Sequence, residues 1–192
     1  MALPAEKIRY TFADCLTWDE DEHIEIIQGE AFLMAAPSTI HQIISGEIFR
    51  QLANFLEGKR CRVIPAPFSV RLFEQDGDAP EDVDTMVEPD ISIVCDRNKL
   101  DQHGCKGAPD MIIEILSPSS LRHDRLVKLN LYQQAGVLEY WIVDPQNQAV
   151  QVFMQDENSF LRICEEYGPK DVAKVNVLNG CFIELDKVFS DL

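Results

Sequence analysis

The chain has 192 residues, 46% of them hydrophobic and 26% charged, a composition that points to one folded domain over 1–192 and excludes a disordered or fibrous polymer. Seventeen Lys and Arg against 33 Asp and Glu leave a formal charge of −16, which opposes broad electrostatic attraction to nucleic acid or to an anionic membrane. No apolar run approaches the roughly 20 residues that span a bilayer, and the opening MALPAEKIRYTF lacks a secretory apolar core, so a cytoplasmic protein is expected.

The six cysteines, at 15, 61, 95, 105, 164 and 181, include no C-x-x-C pair. Neither a zinc knuckle nor a thioredoxin-type motif fits them, and reduced thiols are expected.

In chain order, the first recognisable unit is a hairpin. Ile24, Ile26 and Ile27 precede Gln28-Gly29, and Ala31 to Met34 follow, with glycine where a tight turn needs positive φ. Pro37-Ser38 then opens a helix that Gly58 stops, with Ile40, Ile44, Ile48, Leu52, Phe55 and Leu56 at helical spacing. His41 falls near the centre of this apolar arc and should point inward, whereas Glu47 lies at its edge. Phe68 to Leu72 alternates like a strand with one covered face. Glu74 to Asp90 holds eight acids, no base, Gly77, Pro80 and Pro89, and reads as a loop; its Asp76-Gly77-Asp78 lacks the full calcium-loop pattern.

Two nearly continuous apolar runs follow, Ile91 to Cys95 and Met111 to Leu116, as expected of central strands covered on both sides. Ser117-Pro118-Ser119-Ser120 ends the second run and caps a helix from about Ser120 to Ala135, which Gly136 terminates. Tyr140 to Val143 is a further buried strand, closed by a turn at Asp144-Pro145-Gln146-Asn147; Val150, Val152 and Met154 alternate on the next, and weaker strands lie near 161–164 and 181–183. The sum is an α/β or mixed α+β fold, a sheet with helices packed on it.

Glu114 interrupts an apolar strand on the face of Ile112 and Leu116, where an uncompensated carboxylate costs several kcal/mol. An acid there is paired, protonated or metal-bound, although a strand-end Glu salt-bridged to Arg satisfies the same pattern. Asp90 starts the preceding run behind Pro89. Antiparallel pairing across 96–109 would put residue 90 near 116 and 92 near 114, making Asp90 and Glu114 diagonal neighbours about 7–8 Å apart, within reach of one divalent cation. Asp90 alone also reads as an ordinary strand-start Asp. Lys128 shares a helical stripe with Leu121, Asp124, Leu131, Tyr132 and Ala135. It either pairs with Asp124 on a solvated face or lays its stem over apolar surface to carry its ammonium to the acids. Arg122 and Arg125 complete a short basic cluster. Two acids and a lysine suit metal-assisted phosphodiester hydrolysis.

Glu88-Pro89-Asp90 before an apolar strand, then Ala108-Pro109-Asp110 leading into Glu114 and Ser117-Pro118-Ser119, then Lys128 with Tyr132, then Gly136 to Pro145, resemble the bacterial restriction endonuclease-like family of the PD-(D/E)XK nuclease superfamily. Gly29-Glu30, the Pro37 to His41 segment and the C-terminal strand extend the resemblance over nearly the whole chain. It implies a restriction-endonuclease-like core, a central mixed β-sheet flanked by helices with an N-terminal β-hairpin, commonly as a homodimer acting on DNA. It also implies Asp90 and Glu114 as ligands of Mg²⁺ or Mn²⁺. The superfamily lysine normally follows the second acid by two residues; that slot is Leu116 here, and Lys128 is its replacement. Glu47 or Glu30 would serve as an auxiliary acid, and His41 would orient an acid or a phosphate or sit as a hydrogen-bonded core histidine. Ser117 and Ser119, with Arg122 and Arg125, are candidate phosphate contacts, the serines equally explained by capping. Tyr132, Tyr140 and Trp141 are expected in the core or at a dimer interface. A catalytically silent binding or assembly protein with the same fold is the alternative.

Overall fold

The computed structural model describes residues 9–18, 23–117 and 127–190. In chain order these form α1 (Phe12–Cys15), the hairpin β1 (Ile24–Ile27) and β2 (Glu30–Leu33), α2 (Thr39–Leu56), β3 (Arg62–Pro65) and β4 (Val70–Arg71). Then come β5 (Ile91–Val94), β6 (Leu100–Asp101), β7 (Gly104–Lys106), β8 (Met111–Ile115), α3 (Leu129–Ala135) and β9 (Glu139–Asp144). The chain closes with β10 (Ala149–Gln155), β11 (Leu161–Tyr167), β12 (Val172–Val175), β13 (Cys181–Glu184) and α4 (Leu185–Val188).

A six-stranded mixed sheet in the order β11-β10-β9-β8-β5-β3 forms the centre. β8 and β9 run parallel and every other neighbouring pair is antiparallel. A parallel pair needs a crossover, and α3 lies on it. Side-chain alternation divides β8 between two cores. Met111, Ile113 and Ile115 pack with Ile44, Ile48 and Leu52 of α2 and with the β12–β13 ribbon, while Ile112 and Leu116 pack with Leu131 and Tyr132 of α3. The fold is therefore the expected α+β arrangement, a mixed sheet flanked by helices.

Ser38 caps α2 by accepting from the His41 N–H at 3.2 Å. The buried stripe of this helix runs through His41, Ile44, Ser45, Ile48, Leu52 and Leu56, which leaves Ile40, counted above with the arc, 47% exposed on the first turn. In the hairpin, Gln28 and Gly29 take φ of 52° and 84°, the left-handed pair that a two-residue turn requires. The hairpin docks on the segment leading to Asp90: the Ile26 and Met86 backbones exchange hydrogen bonds of 2.8 and 2.7 Å, and the Gly29 N–H donates to the Asp84 carbonyl at 2.8 Å.

Two expectations are corrected. Phe68 to Leu72 forms only the two-residue β4, parallel to β7 in a small β4-β7-β6 sheet, and Arg71 is buried there instead of facing water. Glu74 and Asp101 bond its guanidinium, which also lies over the Phe12 ring, so the compensation that burial demands comes from outside the strand. Cys61 and Cys95, expected as free thiols, flank paired β3 and β5 and form a disulfide with Cα atoms 3.9 Å apart. Their sequence separation of 34 hides a proximity that only the strand register creates.

Burial pushes the Cys105 and Cys181 thiols up to about 11 and Cys15 up to about 12, so few of them are thiolates near neutral pH. In folded protein alkylated at cell lysis, the exposed Cys164 should react first, and non-reducing digestion should leave the peptides of Cys61 and Cys95 joined. Recovery of both as separately alkylated peptides would show a reduced pair and would agree with the cytoplasmic expectation.

Candidate active site

Asp90 stands between Pro89 and the start of β5, and its carbonyl accepts the Ala66 N–H at 2.9 Å. Observed pairing sets Ile91 opposite Ile113; one further step along that register puts Asp90 directly opposite Glu114. The diagonal relation anticipated above is thus corrected by two residues. The 96–109 connection carries β6, β7 and a 3₁₀ turn over Arg97–Lys99, and nothing in its length specifies which register it closes.

Asp90 accepts the Ile115 N–H at 2.7 Å and pairs with His41 Nε2 at 3.1 Å. Among the described residues both contacts fall on Oδ2. His41 comes from the first turn of α2, so the inward orientation read from its helical position places its ring on this acid.

Glu114 faces the α3 side of the sheet and is almost entirely buried. Its Oε1 lies 2.9 Å from Lys128 Nζ and accepts the Tyr132 hydroxyl at 2.5 Å. Burial first, and then the charges of Glu114 and Glu25, hold the Tyr132 phenol well above the ordinary tyrosine range, so it acts as a proton-bearing donor. Lys128, immediately before α3, is 3% exposed; of the two settings its sequence position allowed, it has the buried one. Asp124, its alternative partner, lies outside the described residues.

Two acids that the sequence reading passed over complete the cluster. Glu25 of β1 is buried and its Oε1 also lies 2.9 Å from Lys128 Nζ, while the Glu88 N–H donates to that same oxygen at 3.0 Å. Glu88 Oε2 contacts His23 Nδ1 at 3.2 Å. Burial raises the Glu88 carboxyl above the usual glutamate value, with the His23 contact opposing and the Glu25 charge adding. Glu25 carries the signal that exposed Glu114, an acid inside an apolar run, here Ile24-Glu25-Ile26-Ile27.

Other candidates stand elsewhere. Glu47 bonds Arg50 at 2.6 and 2.8 Å and Gln51 at 3.0 Å on the outer part of α2, and the Arg50 bond lowers its carboxyl below the ordinary range. Glu30 is exposed at the start of β2, opposite Ile27. Ser117 is half-buried just past β8. Ser119, Arg122 and Arg125 lie outside the described residues. Tyr132, Tyr140 and Trp141 are fully buried. Among the described residues no group of three or more His, Cys, Asp and Glu side chains is arranged to hold a metal ion, and no helix is long and apolar enough to cross a membrane.

A mixed sheet with a hairpin, two flanking helices and acids at the junction of two central strands defines a restriction-endonuclease-like fold. A solved structure described as a putative nuclease belonging to DUF820, from Anabaena variabilis, superimposes with a TM-score of 0.71 over 94% of this chain and 98% of that one, at 21% identity. Residues 12–185 match the model of Uma2, described as "Putative restriction endonuclease", and the chain belongs to that family. It is also 25% identical over 130 residues to the Synechocystis "Uncharacterized protein slr1290", a match spanning 67% of this chain and 64% of the relative's length.

Removing Lys128 takes the ammonium from between two buried carboxylates, and breaking such a pair costs about 3–5 kcal/mol. Urea unfolding of Lys128→Met should show that loss. Tyr132→Phe should lose about 1.5–3 kcal/mol, the contribution of a hydrogen bond to a charged group. A Lys128→Met protein as stable as the wild type would mean that the ammonium does not occupy this position.

Proposed function

We propose that the chain, as one domain, is a metal-dependent endonuclease that hydrolyses DNA phosphodiester bonds. Asp90 and Glu114 are the carboxylates for Mg²⁺ or Mn²⁺, and Lys128 is the catalytic amine. The observation that carries this reading is the Lys128 ammonium 2.9 Å from Glu114, on an acid directly across the strand pair from Asp90.

The donor chemistry fits the ion. Mg²⁺ prefers oxygen ligands and is commonly held by one or two carboxylates, completed by water and substrate phosphate, so a site with two acids suffices. When bound, such a cation supplies Lewis acidity toward phosphoryl oxygens. The chain's own groups do the remaining work. His41 and the Ile115 N–H hold Asp90 in one orientation; the Tyr132 hydroxyl holds Glu114. Lys128 presents a fixed positive charge to an attacking water and to the negative charge that grows on the phosphate. Fixing these groups before substrate arrives removes reorganisation from the reaction step. Ser117, Ser119, Arg122 and Arg125 would supply local phosphate contacts against the overall charge of −16, and a homodimer would double the DNA-facing surface.

A second reading, a catalytically silent binding or assembly protein, is favoured by one observation: Asp90 and Glu114 already have hydrogen-bond partners within the protein. Superfamily folds host many functions, so activity decides between the two. Plasmid and single-stranded DNA should be cut by the wild type with Mg²⁺ or Mn²⁺ and not with a chelator. Asp90→Ala, Glu114→Gln and Lys128→Met should each cut at least roughly 100-fold more slowly. Wild type that leaves both substrates intact would establish the silent reading, and variants that cut as well as the wild type would remove Asp90, Glu114 and Lys128 as the catalytic set.

A further inference from the structure

We propose that Glu25 is the positioning residue for Lys128: from the hairpin it holds the ammonium in the site, so that Lys128 stays in place when Glu114 engages a cation. Its catalytic consequence rests on the nuclease reading; the placement itself does not.

Lys128 Nζ stands 2.9 Å from one oxygen of Glu25 and 2.9 Å from one oxygen of Glu114. The two anions arrive on different elements, Glu25 on β1 and Glu114 on β8, and they differ in what else is asked of them. Glu114 accepts the Tyr132 hydroxyl and is the acid assigned to a divalent ion. A divalent ion beside Glu114 repels an ammonium of the same sign, and in a site this poorly hydrated the repulsion is only weakly screened. With Glu114 as its sole anion, Lys128 would lose its partner at the moment it is needed. Glu25 prevents that, because it stands on a different strand from Glu114 and faces Lys128 with an oxygen already held by the Glu88 N–H.

Glu25 is itself held firmly. The Glu88 N–H donates to the oxygen that faces Lys128, and the Ile26–Met86 backbone pair fixes the strand on which Glu25 stands. His23 at the start of the hairpin contacts Glu88, so the whole edge of the hairpin is tied to the segment that delivers Asp90. A glutamine at position 25 could still accept the Glu88 N–H. Glu25→Gln therefore removes the charge while leaving the hairpin a hydrogen bond to dock with.

The test uses metal-free, ¹⁵N-labelled protein and a ¹H–¹⁵N correlation tuned to lysine ammonium groups. The wild type should give a slowly exchanging ammonium signal, assigned by its disappearance in Lys128→Met. In Glu25→Gln its hydrogen exchange should quicken at least roughly tenfold, or the signal should vanish, while the backbone amide spectrum stays folded. Should Glu25→Gln not fold, Glu25→Asp, which keeps the charge and withdraws it by one methylene, is read in the same way. A signal whose exchange is unchanged in the folded variant would show that Glu25 is not needed to hold the lysine, and would overturn the proposal. In the cleavage assay Glu25→Gln should lower kcat with KM unchanged. Wild type that cuts nothing while the ammonium signal responds as stated removes the nuclease reading and leaves Glu25 in its positioning role.

Discussion

Lys128 puts a positive charge where almost no water reaches. An isolated ammonium there would be far too costly, and two carboxylates from separate elements lie against it, one of them also accepting a tyrosine hydroxyl. The hairpin supplies Glu25, the central strand β8 supplies Glu114, and α3 supplies Tyr132. Each of these side chains would be unfavourable in its own element. Together they tie the hairpin, the sheet and the crossover helix to one point, and the stability of that junction depends on charge balance as much as on apolar contact.

The sheet explains why this point lies beside Asp90. The start of β5 and the end of β8 lie together, so side chains of both strands project from one end of the sheet. Just inside that end the two apolar cores pack on opposite faces and keep the strand register fixed. α2 crosses one face with its N-terminal turn near the same end, which is how His41 meets Asp90. α3 crosses the other face and delivers Tyr132. The acidic 74–90 segment is anchored from both sides, by the hairpin at Met86 and by β4 at Val87, so the residue that follows it has a defined place.

Much of this was legible in the residues. Helical spacing placed α2 and turned His41 inward; a carboxylate within Met111 to Leu116 marked Glu114; Pro89 marked Asp90 as a strand opening. The same rule applied to Ile24-Glu25-Ile26-Ile27 would have singled out Glu25, but a four-residue strand beside a turn leaves room for an acid to reach water, and its burial comes from docking on distant residues. Register is a second loss. Local patterning says which residues face together, yet not which pairs meet, and the Asp90–Glu114 apposition, the Cys61–Cys95 disulfide and the partners of Arg71 all depend on pairing between segments far apart in sequence. Lys128 shows the limit most clearly, because Asp124 four residues away offered a local partner and the tertiary structure supplied others.

The nuclease reading comes down to whether the oxygens of Asp90 and Glu114 gather a divalent ion while Lys128 remains beside them. The most direct measurement is the anomalous difference density of crystals soaked in Mn²⁺. A single strong peak in contact with carboxylate oxygens of both Asp90 and Glu114, absent from a Glu114→Gln crystal soaked identically, is the expected result. Crystals with no peak there, both carboxylates still engaged as in the metal-free protein, would contradict it.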